Sequence, residues 1–63
     1  MIPYKNLVIW PERDSDSEVN AYYCDITDDT GKEITTTENQ PTITSAIRVA
    51  REWIDAHLQA GAE

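Results

Sequence analysis

The apolar pattern of this chain changes period once, and that change limits what it can fold into. Up to Thr37 the apolar and β-branched residues come in short alternating runs, the period of strands. Beyond it, Ile43, Ala46, Ile47, Ala50, Ile54, His57 and Leu58 recur at the spacing of one helix, and Trp53 widens the stripe. Strands followed by a single helix predict a β-β-β-α order. The fold class is α+β, a three-stranded antiparallel sheet with one C-terminal helix packed on one face. With 63 residues the chain makes one small domain, 1–63. One helix covers one face, so the other face is left for a partner or a second copy.

The local signals place the elements. Lys5–Trp10 reads as the first strand, ended by Pro11, which has no N–H to give a ladder. Residues from Glu12 to Ser17 read as a polar loop. The second strand is predicted over Glu18–Thr27, with Tyr22, Cys24 and Ile26 on one face and Val19, Ala21, Tyr23 and Asp25 on the other. Asp28-Asp29-Thr30-Gly31 is a turn, and Lys32–Thr37 the third strand, with Ile34 and Thr36 opposite Glu33, Thr35 and Thr37. Thr42 suits the helix N-cap and Gly61 the position just past the last turn. Arg48 with Glu52 and Arg51 with Asp55 stand four apart on the helix's solvated side.

A domain this small buries only about 60% of the surface its unfolded chain exposes, and the usual staples are missing. Cys24 is the lone cysteine, so no internal disulfide can form. A zinc site would need one Cys, one His and carboxylates, and no cofactor is expected. The longest apolar run, Leu7-Val8-Ile9-Trp10, is far short of the roughly 20 residues of a membrane span. No charged leader followed by an apolar segment opens the chain, so a soluble, cytoplasmic protein is expected.

Charge narrows the function further. Twelve acids against five bases give a formal charge of −7, which disfavours direct binding to nucleic acid or to an anionic membrane. The excess is one-sided. Between Glu12 and Glu38 stand nine acids and two bases, while the rest of the chain is balanced. Glu12, Asp14, Asp16 and Glu18 recur at every second position, and in an extended segment would line one side at a pitch of about 6.6 Å. Such a row resembles the spaced charge of a phosphate backbone. Asp25, Asp28, Asp29 and Glu33 form a second cluster that could merge with the first.

Other chemistry is poorly supported. Asp14-x-Asp16-x-Glu18 opens like a calcium loop, but Val19 stands where that loop requires glycine, and Asp25 where it requires glutamate. Cys24 lies mid-strand among aromatics and His57 at the edge of the helix stripe, with no third group to orient them; no enzyme activity is expected. Trp10 and Trp53 read as core residues, and Tyr23 as the interface anchor.

The size, the acid excess in Glu12–Glu18 and Asp25–Glu33, and the β-β-β-α order resemble small phage-encoded anti-CRISPR proteins. That resemblance implies a nucleic-acid mimic that occupies the basic groove of a nucleic-acid-binding protein or CRISPR effector complex, inside the host cell if phage-encoded. Glu12, Asp14, Asp16, Glu18, Asp25, Asp28, Asp29 and Glu33 would make the contact, anchored by Tyr23. Val8-Ile9-Trp10, the acidic turn, Tyr22-Tyr23 and Thr42-x-x-Ser45-Ala46-Ile47 also look like a HicB-type antitoxin fold. Ser45 stands where that family usually has an acid, and no DNA-binding segment follows. This second resemblance implies a module that covers a toxin with its open sheet face. A homodimer through that face is the blander alternative.

Overall fold

The computed structural model describes residues 1–61. Strands β1 (Ile2–Tyr4), β2 (Leu7–Arg13), β3 (Tyr22–Asp28) and β4 (Glu33–Thr36) precede a single helix, α1 (Ile43–Gly61). The strands form one antiparallel sheet in the order β1-β2-β3-β4, a simple meander. The class is the expected α+β sheet with a C-terminal helix, but there are four strands, not three.

The extra strand is β1. It joins β2 through the two residues Lys5 and Asn6, and Lys5 takes a φ of 56°, a left-handed conformation that hairpin turns require and glycine ordinarily supplies. Pro11 does not end β2, which runs on to Arg13. Leu7 and Ile9 pair with Tyr4 and Ile2 of β1; Pro11, of the same parity, turns its donor-less nitrogen to that side, where β1 has no residue left. The ladder to β3 continues instead, with Pro11 opposite Cys24 and Arg13 opposite Tyr22.

β3 starts at Tyr22, four residues later than expected, because the chain from Asp14 to Asn20 is spent on turns. Val19 consequently stands in that loop, 71% exposed, and Ala21 is buried just ahead of β3. Between β3 and β4 the register shifts at Ile26/Thr27, so that Thr35 opposes Ile26 while Glu33 opposes Thr27. This bulge takes up Ile34 and puts Thr36 and Glu33 on the same face, against the expected alternation.

The core lies between α1 and the facing side of the sheet. Leu7, Ile9, Cys24 and Ile26 point up from β2 and β3; Ala46, Ala50 and Ile54 point down from the helix. The two alanines let the helix axis approach the strands, and Ile9, Ile26 and Ile54 fill the contact with no exposed surface. Tyr4, Tyr22, Ile47, Trp53 and Leu58 close its rim. Thr42 caps the helix as expected, its hydroxyl accepting the Ser45 N–H at 3.1 Å and its carbonyl the Ala46 N–H at 3.0 Å. Gly61, expected just past the last turn, is itself helical. Arg48 reaches Glu52 at 3.9 Å. Asp55 is bonded elsewhere than expected: it accepts from the Tyr4 hydroxyl at 2.9 Å and the Lys5 ammonium at 2.6 Å. Arg51 sits 5.7 Å from the Tyr4 ring centre. The edge hairpin is thereby tied to the helix.

The open sheet face as candidate interface

Strand parity decides what the uncovered face carries. With Ile9, Cys24 and Ile26 turned to the helix, Val8, Trp10 and Glu12 of β2 and Tyr23, Asp25 and Thr27 of β3 turn the other way. The register sets Val8 opposite Thr27, Trp10 opposite Asp25 and Glu12 opposite Tyr23. Thr36 of β4 lies beside Asp25, and Glu33 beside Thr27. The result is an aromatic and acidic surface on rigid strands.

Hydrogen bonds fix several of these side chains. The Trp10 indole N–H donates to the Thr27 hydroxyl at 2.9 Å, which lays the ring diagonally across the strands. The Thr36 hydroxyl lies 2.8 Å from Asp25 Oδ1 and 2.8 Å from Glu33 Oε1. One hydroxyl has one proton, so it can serve only one of these carboxylates at a time. Trp10, Glu12, Asp25, Thr27, Gly31 and Glu33 line a shallow depression of about 220 Å³. Burial raises the Tyr23 hydroxyl above the ordinary phenol range, and the carboxylates of Glu12, Asp25 and Asp14 push it the same way.

The expected acid row does not form. Glu12 stays on the sheet face, but Asp14 enters a turn: its Oδ1 accepts the Asp16 N–H at 3.0 Å, its Oδ2 the Asn39 side-chain N–H at 2.8 Å, and its carbonyl the Ser17 N–H at 3.3 Å. A segment folded this way cannot hold four carboxylates at the pitch of an extended strand. Asp16 and Glu18 remain exposed in the loop at one end of the β2-β3 hairpin. Asp28 and Asp29 lie at the opposite end of β3, which spans about 20 Å. The two clusters therefore do not merge at a shared hairpin end. Glu12, Tyr23, Asp25 and Glu33 occupy the ground between them.

Asp28 has a local task as well. Its Oδ1 accepts the Thr30 hydroxyl at 2.6 Å and the N–H groups of Thr30 and Lys32 at 2.9 and 3.0 Å. The Thr30 hydroxyl, then the Lys32 N–H, hold its carboxyl below the usual carboxylate range. Asp29, by contrast, is exposed.

Trp10 is the residue that sequence reasoning misplaced. It is 38% exposed on the open face, whereas Trp53 packs at the core rim and stacks on His57 with ring centres 4.7 Å apart. The signal was available: Trp10 follows Ile9 on one strand, and neighbours on a strand face opposite ways. Cys24 is buried, and desolvation followed by the Asp25 charge raises its thiol above the ordinary range, away from the reactive thiolate. Among the described residues no group of three or more His, Cys, Asp or Glu side chains is placed to hold a metal ion. No helix among them is long and apolar enough to cross a membrane. Comparison with protein-family models, characterised proteins and solved structures brings no match.

Proposed function

We propose that the protein is an acidic inhibitor that binds the basic groove of a nucleic-acid-binding protein, the role implied by its anti-CRISPR-like character. The observation that carries the reading is the lack of internal compensation. The ion pairs among the described residues are Lys5–Asp55 and Arg48–Glu52; none involves an acid between Glu12 and Glu38. A net charge of −7 held in that stretch and left unpaired is available to a partner's cations. The mechanism is steric and electrostatic: carboxylates on the open face and the β2-β3 loop take the Lys and Arg groups that otherwise hold phosphates, and the domain's bulk blocks the groove. It needs no catalysis and no cofactor.

Charge reversal tests this without disturbing the fold. The side chains of Glu12, Asp16, Glu18 and Asp29 make no hydrogen bond among the described residues, so changing all four to Lys leaves turns and ladders intact. The immobilised chain should capture basic nucleic-acid-binding proteins from host lysate, releasing them to added duplex DNA or to high salt, while the quadruple variant captures none. Equal capture by the variant rejects the mimic. A second reading, an antitoxin-like module covering a toxin through the open face, is favoured by Trp10 and Tyr23 lying there. It predicts that Tyr23→Ala weakens capture more than any acid change and that salt matters little.

A further inference from the structure

We infer that the open sheet face is built to receive arginine side chains of a protein partner, with the Trp10 indole as the stacking surface and Glu12, Asp25 and Glu33 as the acceptors around it. The inference rests on the inhibitor reading and specifies the chemistry of its contact. The depression at Trp10 offers acceptors in excess: Glu12, Asp25 and Glu33 line it, the indole N–H is spent on the Thr27 hydroxyl, and the one proton that hydroxyl can itself donate cannot serve three carboxylates. Hydrogen-bond donors must therefore come from the ligand. A guanidinium supplies five in a plane, pairs with two carboxylates at once and stacks on an aromatic face; an ammonium offers a point charge on a flexible stem. At about 220 Å³ the hollow is smaller than the roughly 300–1,000 Å³ of pockets that take drug-sized ligands, a size suited to single side chains.

Charge complementarity excludes the other occupants. Nucleic acid would set phosphates against Glu12, Asp25 and Glu33. A symmetric pair of copies would press those same three acids against their own equivalents, and like charges facing each other across an interface oppose association. Indole held by its bond to Thr27 is also pre-oriented, so a stacking cation has little side-chain motion to arrest.

Capped hexa-arginine and hexa-lysine peptides, titrated into the full isotope-labelled chain at low and high salt, separate the possibilities. Hexa-arginine should move the Trp10 indole N–H resonance and leave that of Trp53 in place. It should bind about three- to fivefold more tightly than hexa-lysine, the gain expected of an exposed guanidinium–indole contact. Trp10→Leu should reduce that preference to less than about twofold, and Glu12→Gln should weaken both peptides alike. Equal affinities with an unmoved Trp10 signal overturn the arginine surface while leaving the acidic inhibitor standing. Binding of neither peptide, even at low salt, overturns both. The Trp10 signal is read in the unaltered chain, so the result does not depend on any variant folding.

Discussion

Ile43 and Ile54 share the apolar stripe of α1, eleven positions apart, or three turns and about 20°. Pattern alone treats them alike. In the structure Ile54 is fully buried between helix and sheet, whereas Ile43, in the first turn, is 46% exposed. Ile54→Ala removes three carbons from a closed site. At about 0.8 kcal/mol each the transfer loss is about 2.4 kcal/mol, and the cavity left behind brings the cost to roughly 3–4 kcal/mol. A 63-residue chain holds roughly 3–9 kcal/mol in all. The variant therefore stands near the edge of folding, with a melting temperature lower by about 12–32 °C. Ile43→Ala forfeits about half the transfer, leaves no cavity and gains a few tenths from alanine's helix propensity, so it costs less than about 1 kcal/mol. Thermal unfolding followed by far-ultraviolet circular dichroism measures both. Equal losses would mean that the helix meets the sheet through a different set of its own residues.

The Asp55 carboxyl is held low, first by the Lys5 ammonium and then by the Tyr4 hydroxyl. Its folded value lies below its unfolded one, so the stabilisation is present above the unfolded value of about 3.9 and is lost as pH falls through the folded one. Hydrogen exchange at the Ile2 and Tyr4 amides should accelerate in Asp55→Asn relative to the β3 amides; unchanged protection would refute the tie. Gly31 has a φ of 91° and nothing within 4 Å of an added Cβ, so Gly31→Ala should cost about 1 kcal/mol through backbone strain alone, read from urea unfolding. Cys24 should resist a thiol reagent until the chain unfolds, and rapid modification in the native state would contradict its burial. Raising salt from about 0.02 M to about 0.5 M should raise the melting temperature by screening the unpaired acids, while weakening partner binding.

What was legible in the sequence followed from period and punctuation. The helix, its Thr42 cap, the Gly31 turn and the helix-facing set Tyr22, Cys24 and Ile26 all carry local signals strong enough to survive into the fold. The failures share a cause: context changed the meaning of a residue. Lys5 takes the left-handed φ of a two-residue hairpin turn although lysine does not signal one, and its ammonium meets Asp55, fifty residues away, a contact no local rule anticipates. Pro11 is tolerated because β1 is too short to need its N–H. The alternating acids suggested an extended row, but Asp14 is a turn former as well as a charge, and the turn prevailed.

The bulge at Ile26/Thr27 links the fold's irregularity to its proposed use. Without the bulge, strict alternation would put Glu33 on the same face as Thr35, where Ile26 meets the helix side, and Thr36 would face outward beside Ile34. Glu33 would there stand opposite Asp28, carboxylate against carboxylate, an unfavourable cross-strand pair. The register shift sends Glu33 to the open face instead, within reach of the Thr36 hydroxyl that it shares with Asp25. Separating the two acids thus adds a carboxylate to the aromatic surface at Trp10. A substitution that restored regular pairing there should weaken the β3-β4 hairpin and recognition together.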